Sequence, residues 1–407
     1  MKRIQFLTLI TLMLLGYNCT QSESINPVGG DKLTGVSARF ATQSSAFAFD
    51  LFKQHNKSEN NKNVVLSPLS LNIALGMLLN GANGTTANEI KQALRQDGIL
   101  LDDINQTYLT LLNGLPKVDN NVTVNIANSV WQNDRYTAES AFTNTLNHYF
   151  LSQTYPFDST KPDEAKNKIN SWVSDKTQGK ITNLIDQVTS DSFLFLLNAV
   201  YFKGTWKYQF KTSDTQDASF AVSEGKNVTV KMMRQTAPLR VAQGTNYAAF
   251  ELPYSNGDYA MTIVLPDRNV SIDGFIDSFD TNAWKSLQTN LTERREEVGL
   301  PRFELNYDAS LNATLNALGM KQAFTAAADL SKISKSIGLM VSKVKQKTYL
   351  KVDEVGTEAA AATSIGVVVT SMPLRNYICD RPFLVVISEK NSDTVLFIGK
   401  IQNPLGS

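Results

Sequence analysis

Residue types that usually carry catalysis are scarce in these 407 residues. There are two histidines, His55 and His148, and no G-x-S-x-G elbow, H-E-x-x-H or C-x-x-C motif. A hydrolytic triad or a histidine-rich metal centre therefore has little to draw on, and both histidines read as ordinary helix positions. No metal and no cofactor is expected. Cys19 and Cys379 cannot build a disulfide framework. The unusual chemistry lies instead in the stretch 352–373, V-D-E-V-G-T-E-A-A-A-A-T-S-I-G-V-V-V-T-S-M-P, whose middle is a row of side chains too small to build a core where they stand.

Taken locally, E-A-A-A-A reads as helix, because alanine leads the helix scale. Val367, Val368 and Val369 argue for an extended chain, since β-branched residues favour strands. On a period of two, Thr357, Ala359, Ala361, Thr363, Ile365, Val367 and Val369 share one face, and Glu358, Ala360, Ala362, Ser364, Gly366 and Val368 share the other. The run 339–353 before it alternates through Val341, Val344, Thr348, Leu350 and Val352, which predicts a strand with a central irregularity. A segment whose inward residues are small at its leading end can slide between two strands already in place. Gly356 would supply the pivot.

The residues Glu354, Val355, Gly356, Thr357, Glu358, Ala359, Ala360, Ala361, Ala362 and Thr363 resemble the reactive-loop hinge of inhibitory serpins. Further resemblances follow in serpin order: N-V-V-L-S-P-L-S at 63–70, G-A-N-G-T-T at 81–86, N-A-V-Y-F-K-G-T-W at 198–206, D-R-P-F at 380–383 and L-F-I-G-K-I-Q-N-P at 396–404. Together they span 37–404. The resemblance implies an α+β, serpin-like fold: a large central β-sheet able to accept the reactive loop as an extra strand, surrounding helices and a second, β-barrel-like region. It also implies one domain over 37–405, with a reactive loop at about 354–374.

By the same resemblance the chain is a monomer and not an enzyme: a suicide-substrate inhibitor that traps its protease as an acyl-enzyme. The scissile bond is expected at Thr370-Ser371, within one residue. Val367, Val368 and Val369 would set specificity, suiting elastase-like and subtilisin-like serine proteases, and Val369 also suits papain-like cysteine proteases. Arg375 is read as a solvated charge. Glu354, Arg302 and Trp206 match the group at the top of the sheet where insertion starts, with Arg302 in place of the more usual lysine and able to pair bidentately with Glu354. Ser67, Ser70 and Asn198 resemble the polar cluster where the central strands part, and Gln346 stands where the family commonly has histidine. The alternative is a non-inhibitory binding or carrier protein of the same fold, against which Thr357 and the uninterrupted alanines speak.

The remaining chain fits one globular unit. It is 42% hydrophobic, and 39 Lys and Arg balance 38 Asp and Glu for a net charge of +1, which gives no general pull toward nucleic acid or anionic membranes. Residues 1–18 carry Lys2, Arg3 and an apolar run, the layout of an export signal. Cys19 directly after it resembles the lipidated cysteine of bacterial lipoproteins, although Gly16 and Asn18 depart from that pattern, so an ordinary cleaved signal stays open. The product would be an outer-membrane or cell-surface lipoprotein, or else periplasmic or secreted, with 19–36 as a flexible tether and the lipid as its sole membrane contact. Helices are predicted over 37–55, 67–81 with Ser67 as N-cap and Pro68 at the first helical position, 86–94, 101–112, 138–150, 163–176 and 310–318. No basic cluster lies on the early ones, so no glycosaminoglycan activation is expected. Strands are predicted at 122–131, 193–202 (apolar on both faces except Asn198), around 230, at 247–252, 259–265, 300–306, 383–388 and 395–399.

Overall fold

The computed structural model describes residues 33–335, 338–357 and 377–406. The export-signal segment, Cys19, most of the tether, Glu358, Ala359, Ala360, Ala361, Ala362, Thr363, Val367, Val368, Val369, Thr370, Ser371 and Arg375 lie outside them. In chain order the first elements are α1 (Ala38–Asn56), β1 (Val64–Leu66), α2 (Pro68–Gly81), α3 (Gly84–Ala93), α4 (Leu101–Gly114), β2 (Val122–Asn133), α5 (Ser140–Phe150), β3 (Gln153–Phe157), α6 (Pro162–Lys176) and β4 (Leu194–Thr205). Next come β5 (Gln216–Ser223), β6 (Lys226–Gly244), β7 (Tyr247–Pro253), β8 (Tyr259–Pro266), α7 (Ile272–Ser278), α8 (Thr281–Asn290), β9 (Thr292–Pro301) and β10 (Phe303–Ser310). The last are α9 (Asn312–Ala317), β11 (Lys345–Val352), β12 (Gly356–Thr357), β13 (Tyr377–Ile378), β14 (Phe383–Glu389) and β15 (Thr394–Ile401).

Six strands form one sheet in the order β10-β11-β12-β4-β2-β3. Nine form the other, β1-β15-β14-β8-β7-β6-β9-β13 with β5 on β6. The second region, anticipated as barrel-like, is an open sheet: among the described residues β1 and β13 at its ends do not pair. Helix α2 packs against β4 of one sheet and β15 of the other, and every residue in it except Ala74 is buried. Ser67 caps it as the sequence suggests, its Oγ accepting from Ser70 N at 3.3 Å, with Pro68 spending its missing N–H where no partner is needed.

A smaller core sits on the other side of the six-stranded sheet. Ile169 and Val173 of α6, with Ile181, Leu184 and Val188 after it, close over Trp131, Phe157 and Leu197. From that cover Asp186 reaches Lys343 and Lys345, each at 2.8 Å, and Lys345 continues to Asp308 at 3.0 Å.

Three strand predictions change. The strand placed at 300–306 is two: Pro301 ends β9 opposite Met232, Arg302 N donates to Lys231 O at 2.8 Å, and Phe303 begins β10 opposite Val352 in the other sheet. Arg302 is the crossing residue between the sheets. The long run 339–353 contracts to β11, with 339–344 irregular. The segment 193–202 continues as β4 to Thr205, and Leu194, Phe195 and Leu196 are half-buried rather than covered on both faces.

Candidate functional site at the head of the six-stranded sheet

Strands β4 and β11 run in the same direction and, among the described residues, share no register with each other. Among the described residues only β12 stands between them. Thr357 lies opposite Gly204 on β4 and Val352 on β11, antiparallel to both, and Gly356 lies opposite Thr205. The alternating face drawn from the sequence is correct at its start: Thr357 is 3% exposed, and its hydroxyl meets the buried Tyr254 hydroxyl at 2.6 Å.

Gly356 is needed where it stands for a reason beside the pivot first assigned to it. Its φ is not in the left-handed region. A Cβ added there would come within 2.0 Å of the Gly204 carbonyl oxygen, so only glycine lets the hinge backbone lie against β4. Gly204 is tight for a matching reason, since a Cβ on it would meet the Tyr254 ring at 2.7 Å.

The turn before the hinge is held from several sides. Asp353 Oδ1 accepts from Val355 N at 3.0 Å and Gly356 N at 3.3 Å, closing a tight local turn. Trp206 donates through Nε1 to Asp353 O at 3.0 Å and through its backbone N to Val355 O at 2.8 Å, while its ring stacks on Tyr254 at 4.4 Å. Phe210 N donates to Glu354 O at 2.9 Å. The buried Glu354 carboxylate accepts from Arg302 Nη2 at 2.5 Å and Thr215 Oγ1 at 2.7 Å, both on Oε1. The anticipated bidentate fork is therefore a single-oxygen pair. Burial pushes this carboxyl up, but the bonds from Arg302 and Thr215 outweigh it and hold the group below the ordinary carboxylate range.

Lower in the sheet the four polar residues grouped from the sequence separate into two sets. Gln346 and Ser67 exchange two bonds, Ser67 N to Oε1 at 2.9 Å and Nε2 to Ser67 O at 2.8 Å, and Ser67 Oγ donates to Leu396 O at 2.7 Å. Ser70 joins them through its backbone N. Asn198 bonds separately from them: its Nδ2 donates to Asn128 Oδ1 at 2.7 Å, and Asn128 Nδ2 donates to Phe150 O at 2.7 Å.

Sequence reasoning missed Thr215, Tyr254 and Asn128. Thr215 and Tyr254 lie in polar turn segments with no periodicity to single them out, and Asn128 gains significance only from its cross-strand register with Asn198. Of the two histidines, His55 is buried between Thr314 Oγ1 at 3.0 Å and Tyr307 Oη at 2.7 Å, and the buried Cys379 thiol is pushed well above its usual range by desolvation.

The family model described as Serpin (serine protease inhibitor) matches residues 42–404. The chain belongs to the serpin family. Serpin B11 of Homo sapiens is 34% identical over 390 residues, covering 89% of this serpin and 99% of that protein. The leukocyte elastase inhibitor of Sus scrofa is 33% identical over 379 residues, covering 90% and 100%. Among solved structures, human thyroxine-binding globulin complexed with thyroxine superposes with a TM-score of 0.83 at 26% identity, covering 90% of this serpin and 99% of that chain. The family thus includes a named protease inhibitor and a named small-molecule binder. At the family level these proteins inhibit proteases and are not catalysts.

Proposed function

We propose that this serpin is a suicide-substrate inhibitor of elastase-like or subtilisin-like serine proteases, and of papain-like cysteine proteases. The observation that carries this reading is that, among the described residues, β4 and β11 share no register and Gly356 and Thr357 are seated between their heads. The protease nucleophile attacks the Thr370 carbonyl, and the bond to Ser371 breaks. The new amine leaves with a proton from the protease's general acid, and an ester or thioester to Thr370 remains. The segment 358–369 then continues from Thr357 into the slot.

Because β4 and β11 are parallel to each other, a strand between them is antiparallel to both, the better-aligned hydrogen-bond geometry. On the order of ten new ladder bonds at roughly 0.5–1.5 kcal/mol each would drive the segment in with the protease attached. Losing one oxyanion-hole donor slows deacylation roughly 10²- to 10³-fold, so a modest distortion of the protease suffices to hold it. The run Ala359–Ala362 offers little bulk to delay entry.

The second reading, a binding or carrier protein, is favoured by the likeness to thyroxine-binding globulin. One gel separates the two. An SDS-stable complex with a subtilisin or elastase is expected for the trap, whereas complete loop cleavage with no complex would sink it. We further propose export through 1–18, anchoring at a lipidated Cys19 or release after ordinary cleavage, and action as a monomer without glycosaminoglycan. Mass spectrometry of the mature N-terminus reads out the first of these.

A further inference from the structure

The turn 254–258 between β7 and β8 presents Tyr254 to the hinge. Tyr254 is fully buried, its ring stacked on Trp206 and edge-on to Phe202 at 5.0 Å, and its hydroxyl is the one that meets Thr357. Burial pushes the phenol up, so it keeps its proton and stays able to donate. The next residue, Ser255, has a φ of 37°, in the left-handed region that a side-chain-bearing residue keeps only when its surroundings hold it there. Its backbone N donates to Thr205 O at 2.9 Å, which sets the turn against the end of β4.

What holds that turn is a carboxylate from beyond the other edge of β4. Asp119, three residues before β2, is 1% exposed. Its Oδ1 accepts from Asn121 N at 2.9 Å and Ser255 Oγ at 3.2 Å, and its Oδ2 accepts from Asn256 N at 3.1 Å. Asn121 Nδ2 completes the knot by donating to Ser255 Oγ at 3.1 Å. Neutral donors thus keep a carboxylate out of water, an arrangement that is costly unless each bond is made. The register explains the reach. β2 begins with Val122 opposite Gly204, while Gly356 and Thr357 pair with Thr205 and Gly204 from the opposite edge of β4. The start of β2, the end of β4 and the hinge therefore lie in one row across the sheet, and the turn sits against that row.

We propose that Asp119 is a positioning residue for the hinge: by holding Ser255 and Asn256 it fixes the Tyr254 hydroxyl where Thr357 pairs with both β4 and β11. Without the carboxylate Ser255 relaxes out of its left-handed backbone, Tyr254 turns with it, and the pairing at Thr357 loses its anchor. The inference rests on the trapping function above and names the group, on the far flank of β4, that keeps the entrance in shape.

The full chain is compared as wild type, Asp119→Asn, Tyr254→Phe and the double variant Asp119→Asn/Tyr254→Phe. The readouts are the number of inhibitor molecules consumed per subtilisin trapped, the Tm of the intact chain, and the fluorine resonance of Trp206 after fluorotryptophan labelling, assigned with Trp206→Phe. Asp119→Asn keeps the shape of the side chain and loses one acceptor oxygen. It is expected to raise consumption about two- to tenfold, the range of one ordinary hydrogen bond, and to shift the Trp206 resonance through the stacked Tyr254 ring. Tyr254→Phe is expected to raise consumption by a similar factor, and the double variant no further. Consumption equal to wild type in Asp119→Asn overturns the proposal even where Tm falls, because a merely structural carboxylate lowers Tm alone. A double variant in which the two factors multiply overturns it as well. Should Asp119→Asn fail to fold, Ser255→Ala, which removes one contact of the carboxylate with the turn, takes its place with the same expected directions. If wild type traps no subtilisin, the inhibitory reading fails, and the Trp206 resonance still decides the role of Asp119: a shift upholds its hold on Tyr254, and an unmoved line overturns it.

Discussion

Arg302 and Glu354 meet through a single carboxylate oxygen, 2.5 Å from Nη2, one residue past the end of β9 and two residues before the hinge strand β12. Removing the guanidinium as Arg302→Met leaves a buried carboxylate with Thr215 as its one remaining side-chain donor. Arg302 is 44% exposed, so solvent discounts the pair, and the loss is about 1–2 kcal/mol rather than the full cost of stranding a buried charge. The carboxyl is held below its ordinary 4.5, so its stabilising contribution is present above pH 4.5 and disappears as pH falls through the lowered value. Melting curves of wild type and Arg302→Met taken from pH 7 to pH 3 should converge at the acid end; a constant gap would contradict the pairing.

Gly356→Ala places a methyl against the Gly204 carbonyl, where neither partner is a flexible side chain. The hinge must lift from β4, at a cost of about 1–3 kcal/mol. With subtilisin, the expected outcome is more cleaved chain and less complex per molecule, read from one gel. Unchanged partitioning would show that the hinge enters the slot without this close approach.

Thr357→Arg sets a guanidinium where a hydroxyl now meets Tyr254 out of contact with water. Burying that charge unpaired opposes insertion strongly. The variant is expected to be cut at the same bond as wild type but to trap no protease, turning inhibitor into substrate. Retention of stoichiometric inhibition would refute the inward assignment of position 357.

Asp186 ties the cover formed by α6 and the segment after it to the first residue of β11. Hydrogen bonds from Lys343 and Lys345 hold its carboxyl down to about 2. Its contribution is present above the ordinary 3.8 and lost as pH falls through about 2. Salt screens an exposed pair of this kind. Asp186→Asn should therefore shrink the change in Tm between 0.05 M and 1 M NaCl, and an unaltered salt response would show that the tie adds nothing to stability.

The hinge and the helices were legible because each is written locally. Ser67-Pro68 announces α2, and the resemblance carried by Glu354, Val355, Gly356 and Thr357 marks where the turn and β12 form. The split at Arg302 was hidden, since the alternation of Pro301, Phe303 and Leu305 runs through it while the chain changes sheets. Strand β6 was largely hidden by Pro238, which pairs with Arg295 on β9 at a point where neither β5 nor β7 reaches the other edge. Asn198 and Gln346 look alike in sequence as polar interruptions of apolar runs. What separates them is the element behind each, the end of α5 for one and the start of α2 for the other, and no local pattern records that.

Because Arg302 belongs to neither sheet but to the weld between them, the hinge carboxylate is moored to the seam of the molecule rather than to one panel of it. A displacement of the nine-stranded sheet against the six-stranded one therefore pulls first on the Glu354 carboxylate and on the turn that leads into β12.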